Sequence, residues 1–289
     1  MPPAVLQVPS AHDVELTAYR WDPAGTPRGI VQLTHGMGEH LLRYEPLAGA
    51  LTAAGFVVIG QDHRGHGASA QGEWGALGEG GWDELVRDIG RVSDVARQDF
   101  PDLPLVLLGH SMGSFAAQQY VLDHSDELAG LVLTGTAVLD LLEPALDLDQ
   151  PLDLSAFNAP FEHRTGYEWL SRDTAQVDAY VADERCGFGL SDVDGRQMFA
   201  SARQVADPGR LAGLRKDLPV WIPVGEHDPV NGQLALVHPL VQRLTDAGLT
   251  DVTLVVYPEA RHEVFNETNR DEVVADLLAW LDRVVPPAA

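Results

Sequence analysis

The sequence predicts an α/β fold: a mainly parallel central sheet flanked by helices, with a helical segment inserted ahead of its last two strands. Three observations carry that expectation. Short apolar runs alternate with helix-period patterns along the 289 residues, the signature of strand–helix–strand units. The runs IVQL, VVI, LVLL, LVL, VWIPV and VTLVV are continuously apolar, as strands covered on both faces must be. One long stretch, about 137 to 206, offers no strand candidate.

In chain order the expected strands are Val14–Trp21, Gly29–Thr34, Phe56–Gln61, Leu105–Leu108, Leu128–Leu133, Val220–Val224 and Val252–Tyr257. Amphipathic patterns between them predict helices over Leu41–Ala54, Trp82–Phe100, Ser111–His124, Gly232–Ala247 and Arg270–Val285. Gly55 stands where a helix is commonly stopped by a left-handed residue. The stretch 137–206 instead holds leucine-rich and aromatic pieces split by Pro and Gly: LLEPALDLDQPLDLSAF, YEWLSRD, CGFGL and RQMF. Leu139, Leu141, Leu142, Leu146 and Leu148 are more apolar side chains than a solvated segment needs. The expectation is therefore a mobile cap, 137–206, over a pocket in a core made of 1–136 and 207–289.

Composition narrows the partners. Hydrophobic residues make up 45% and charged ones 21%, a globular balance. No apolar run approaches the ~18 residues of a membrane span. The start, MPPAVLQVPSAHD, lacks a basic stretch followed by an apolar one, so no secretory signal is expected. Cys186 is the single cysteine, which excludes an internal disulfide and favours a cytoplasmic location. Forty-three acidic residues face 19 basic ones, and Lys216 is the only lysine. The resulting charge of −24 repels phosphate backbones and argues against nucleic acid as a partner.

Against that frame, GHSMG is a serine held between two glycines, after the strand LVLL and before the helix SFAAQQYVLD. The pattern G-x-S-x-G alone arises by chance in about one chain in ten of this length. Its setting is what gives it meaning: a sharp strand-to-helix turn lifts Ser111 out of the sheet and aims a helix N-terminus at its oxygen. A serine hydroxyl needs a base to take its proton. His262 follows the strand VTLVVYPEA in the loop before the last helix, and from there reaches back across the sheet's edge. The base needs a carboxylate to fix its tautomer. GEHDPV places Asp228 after the strand VWIPV, with Glu226 as runner-up.

An oxyanion intermediate needs two preset N–H donors. One is the amide after the nucleophile, Met112. The other is expected from THGMGEH, where Gly36 and Gly38 let the backbone come close and Met37 presents its amide. His35 is read as a packing residue of that loop. Two metal readings fall away. RHEVFN has Asn266 where H-e-x-x-H zinc binding needs a second histidine. DHRGHG, with Asp62, His63 and His66, lacks a partner set and reads as a bracing loop. Neither a metal nor a cofactor is expected. Cys186 is expected to be an ordinary buried thiol.

The pieces HGMGEHLLRYEPLAGAL, QDHRGHGAS, GHSMG, GEHDPV and YPEARHEVFNE resemble the α/β-hydrolase superfamily, and within it the monoacylglycerol lipase and lysophospholipase-like serine hydrolases. The chain order Ser111, Asp228, His262 is that of α/β-hydrolases. The resemblance implies the α/β-hydrolase fold with an inserted cap. It puts the nucleophile on Ser111, the acid on Asp228, the base on His262 and the oxyanion amides on Met37 and Met112. DERCGFGL is similar to a segment of bacterial lysophospholipase-like members. The expected activity is hydrolysis of a single-acyl-chain ester such as monoacylglycerol, met as monomer or micelle. Lysophospholipase and proline-iminopeptidase-like activities are the alternatives, and a non-catalytic binding protein is a distant third. Asp140, Asp147, Asp149 and Asp153 in the cap favour neutral headgroups over anionic ones.

Overall fold

The computed structural model describes residues 2–287. Eight strands form one sheet in the order β1-β2-β4-β3-β5-β6-β7-β8. They are β1 (Ala4–Pro9), β2 (Glu15–Trp21), β3 (Gly29–Thr34), β4 (Phe56–Gln61), β5 (Leu105–His110), β6 (Gly130–Thr134), β7 (Val220–Gly225) and β8 (Val252–Tyr257). From β4 across to β8 all pairings are parallel; β1 and β2 join antiparallel at one edge.

Alternation along each buried strand feeds two cores. In β5, Leu105 and Leu107 face one cluster while Val106 and Leu108 face the other. On the first face lie α2 (Gly81–Asp99), α3 (Met112–His124) and α8 (His238–Asp246); on the second lie α1 (Glu45–Ala53) and α9 (Arg270–Val284). The polar Gln32 inside β3 is fully buried. It is tolerated because its amide donates to Ile89 O at 2.8 Å and accepts from Ser93 Oγ at 2.6 Å.

Between β6 and β7 the chain forms α4 (Leu139–Leu142), α5 (Thr174–Ala182), α6 (Asp192–Ala206) and the short α7 (Pro208–Leu211), linked by 3-10 turns, with no strand among the described residues. Asp173 and Ser191 cap α5 and α6 by accepting from Ala175 N and Asp194 N. This is the α/β-hydrolase architecture with its helical insertion.

Four expectations need correction. β1 was not anticipated, because only Val8 of its six residues is buried and the apolar signal is weak. β8 was expected to be buried on both faces, but it is an edge strand with only Tyr257 fully buried. The helix expected over Gly232–Ala247 begins at His238. Before it, Gly232, Gln233 and Leu234 all adopt positive φ, which no helix allows. The helix expected over Leu41–Ala54 is a 3-10 turn, Leu41–Tyr44, followed by α1.

Candidate active site

All the chemistry-bearing loops leave the C-terminal ends of parallel strands, the rim where open α/β sheets bind their ligands. Met37 follows β3, Ser111 follows β5, Asp228 follows β7 and His262 follows β8.

Ser111 stands at φ 51°, ψ −121° between β5 and α3, a strained conformation for a non-glycine residue. Surrounding bonds impose it. Its N–H donates to Thr134 O at 2.9 Å, while its own carbonyl accepts from Ser114 N and Phe115 N. The flanking glycines answer to close packing. A Cβ on Gly109 would lie 2.6 Å from Gly113 O, and one on Gly113 would overlap the carbonyl oxygens of Thr34 and His35. The end of β3 is thereby pressed against the first turn of α3, which brings the Met37 loop beside Ser111.

His262 and Asp228 are both buried, with Nδ1 of the ring 2.9 Å from Asp228 Oδ1. The same oxygen accepts from Val230 N at 2.9 Å. Glu226 is exposed and accepts from Glu259 N instead, so it makes no contact with the imidazole. The ring of His262 packs against Trp169 of the insertion and against His110, with centroids 4.8 and 4.7 Å away. Burial, and then the neighbouring His262, push His110 down to about 4, so it stays neutral. Among the described residues no hydrogen bond joins Ser111 Oγ to His262. Catalytic contacts of this kind commonly tighten only around substrate.

A cavity of about 550 Å³, mouth included, opens over Ser111. Met37, Met112, Phe115, Trp169 and leucines of the insertion line it, and Ser111 and Asp153 are its only polar walls. Neither the Met37 nor the Met112 N–H finds an acceptor among the described residues. Met37 and Met112 line the cavity together with Ser111, and Met112 is the first residue of α3, where the helix field favours negative charge.

Gly135 gives the site a sensitive point. At φ 54°, a Cβ there would lie 2.7 Å from His110 Cε1 and 2.8 Å from His262 Cε1. Cε1 sits between the two ring nitrogens, so pushing it tilts both. Gly135→Ala is expected to lower kcat by about 10²-fold, the scale of a 1 Å misplacement, with KM little changed. Steady-state kinetics check this, and a kcat within twofold of wild type refutes it.

Reasoning from sequence missed a buried ion cluster behind the site. Glu39 Oε1 accepts from Gly36 N at 2.6 Å and from Tyr44 Oη at 2.8 Å. Its other oxygen pairs with Arg43, which also grips both oxygens of Glu263 at 2.6 and 2.7 Å. Burial opposes the charge on Glu263, but Arg43 outweighs it and holds the carboxyl below its usual range. Arg43 thus ties the Met37 loop to the residue after His262. Its guanidinium also covers the Tyr180 ring of α5 at 4.8 Å. The i, i+4 spacing of Glu39 and Arg43 beside a glycine-rich loop was the available signal.

Asp62, His63 and His66 form the bracing loop. Asp62 accepts from Leu41 N, Ala68 N and Tyr19 Oη. Cys186 is half-buried and outside the cavity, and burial pushes its thiol up to about 12. It clusters with His40 and Asp183. That carboxylate already binds Arg185 through both oxygens, and a protonated thiol is a poor ligand, so the cluster reads as an ion pair. Asp140, part of the acidic run in the insertion, is neutralised by two bonds from Arg243 at 2.7 Å.

Comparison with known proteins gives these parts a context. The model of a family described as serine aminopeptidase, S33, matches residues 25–269. A monoacylglycerol lipase of Mycolicibacterium smegmatis is 35% identical over 268 residues, covering 90% of each chain. A monoglyceride lipase of Mus musculus is 29% identical, covering 93% of this chain and 87% of its own. A thermostable carboxyl esterase from Bacillus coagulans, solved with glycerol, superposes with a TM-score of 0.85 at 28% identity, covering 99% of both chains.

Proposed function

The chain belongs to the serine aminopeptidase S33 family of α/β-hydrolases, and from that premise we propose a cofactor-free serine esterase that cleaves monoacylglycerol through an acyl-enzyme. The observation that carries the reading is the cavity over Ser111, whose walls are almost wholly apolar and so suit an acyl chain. The lipases of M. smegmatis and mouse bear on the same substrate class.

In this reading His262 Nε2 takes the proton as Ser111 Oγ attacks the ester carbonyl. Asp228, bound to Nδ1, stabilises the imidazolium. The Met37 and Met112 N–H groups hold the oxyanion. The alcohol leaves with the proton from His262, and water then cleaves the acyl-enzyme by the same steps in reverse order. The helical insertion, 137–206, serves as a cap that closes the acyl cavity.

Asp153 sits at the cavity wall and is exposed. Its charge disfavours phosphate headgroups and tolerates the hydroxyls of glycerol, which ranks monoacylglycerol above anionic lysophospholipids. An aminopeptidase needs a carboxylate for the substrate's ammonium. Asp153 is the only such group in the cavity, and it already accepts from Ser155 N and Oγ. Substrate is expected as monomer or micelle. No helix among the described residues is long and apolar enough to cross a membrane. A cytoplasmic location fits the single cysteine.

The test is a panel of kcat/KM values for monoacylglycerols of varied chain length, lysophosphatidylcholine, p-nitrophenyl esters and aminoacyl naphthylamides. Monoacylglycerols of medium or long chain are expected to lead. Turnover of the naphthylamides without turnover of glyceryl esters would replace the reading with a peptidase.

A further inference from the structure

We propose that His35 is a positioning residue that aims the oxyanion donor, holding by its ring the peptide unit that carries the Met37 N–H. The inference rests on the reading of Met37 given above and extends it to a residue with no assigned part in the reaction.

A peptide unit is planar, so fixing the direction of its C=O fixes the direction of its N–H. The Met37 N–H shares its plane with the Gly36 carbonyl. His35 Nδ1 lies 2.8 Å from that carbonyl oxygen. The direction of the bond follows from the opposite side of the ring, where Nε2 lies 2.9 Å from the His63 backbone N–H and can only accept. A neutral ring has one proton, so it sits on Nδ1 and is donated to Gly36 O. Burial, and then the adjacent His63 and His66, hold the basicity of His35 well below normal, which preserves this tautomer. The His35 backbone carbonyl in turn accepts from His63 Nε2 at 3.2 Å, closing the brace.

The neighbouring peptide units are pinned as well. Gly36 N donates to Glu39 Oε1 at 2.6 Å, and Gly38 O accepts from Tyr180 Oη at 2.8 Å and Gly187 N at 2.9 Å. The Met37 N–H, by contrast, has no protein acceptor among the described residues, and Met37 lines the cavity beside Ser111. A bond donated to the carbonyl also polarises the amide, making its N–H a stronger donor where negative charge develops. A packing histidine would serve equally well with either nitrogen protonated. This one does not.

The decisive comparison is His35→Asn against His35→Gln. Asparagine can place an amide N–H near the Nδ1 position, whereas glutamine reaches the Nε2 side. His35→Asn is expected to keep kcat within a few-fold of wild type. His35→Gln and His35→Phe are expected to lose about 10- to 100-fold, part of what a lost oxyanion donor costs, with KM within about twofold. In the impaired variants, affinity for an alkyl trifluoromethyl ketone, which forms an oxyanion adduct, should fall by the same factor as kcat. Affinity for the matching glyceryl ether, which forms none, should hold.

Equal kcat in the Asn and Gln variants, or parallel losses of both ligands, overturns the proposal. An ester in place of the Met37 amide, introduced as the α-hydroxy analogue of methionine, separates it from its premise. If that ester costs ~10²-fold or more while Asn and Gln behave alike, only the role of His35 falls. If the ester costs nothing, the oxyanion reading falls and takes His35 with it.

Discussion

Ser111→Ala is expected to lower kcat on monoacylglycerol by about 10⁶-fold, the scale of removing a nucleophile from a working triad, while leaving the fold intact. The second half of that expectation follows from the bonds that the serine makes. Its backbone N–H and C=O carry the bonds that hold the turn, to Thr134, Ser114 and Phe115. Its hydroxyl makes no hydrogen bond among the described residues and opens onto the cavity. Alanine meets the same strain at φ 51° as serine does, so the difference between them is chemical. The variant should bind a glyceryl ether normally, unfold at the wild-type temperature and fail to react with a fluorophosphonate. Residual esterase activity near the wild-type rate would remove Ser111 from the mechanism, and a large drop in unfolding temperature would leave the activity loss without its catalytic meaning.

How much of this was legible in the sequence follows from where each signal is stored. Strands buried on both faces, such as LVLL and IVQL, declare themselves by apolar continuity, and the inner sheet was read within about two residues at most ends. β1 was not, because an antiparallel edge strand with one buried side chain carries almost no such signal. The stretch before α8 misled for the opposite reason. Leu234, Val237, Leu240 and Val241 have helical spacing, but positive φ at residues 232 to 234 makes the first part a series of turns, and dihedrals are not written in hydrophobicity. The site was legible where a motif is local: the turn around Ser111 and the glycines of THGMGEH declare their own geometry. Arg43 and Glu263 did not, being 220 residues apart. Each looks like an ordinary surface charge until folding buries the pair. His35 lies between the two cases, since its residue type was visible but the proton on Nδ1 is decided by His63, 28 residues away.

The carboxylate is the part of the site where two candidates stood two residues apart, and its removal carries the second-largest expected effect. Asp228→Ala is expected to reduce kcat by about 10⁴-fold, in line with loss of a triad acid elsewhere, whereas Glu226→Ala should stay within twofold. The asymmetry comes from burial and partners. Asp228 is enclosed, and its Oδ1 is shared between His262 Nδ1 and Val230 N. Glu226 is exposed to water and bonds only a turn amide. With the carboxylate gone, nothing fixes the proton on Nδ1, and the tautomer with Nε2–H, which cannot accept from serine, becomes available. Nothing then offsets the charge on the imidazolium as it forms in a dry setting between Trp169 and His110. Asp228→Asn should fall between the two. An amide oxygen turned towards Val230 N can still receive His262 Nδ1–H, so orientation survives while the charge is lost. The gap between the Asn and Ala variants therefore measures orientation, and the gap between Asn and wild type measures charge. Equal losses in Glu226→Ala and Asp228→Ala would show that the acid had been assigned to the wrong side of the turn.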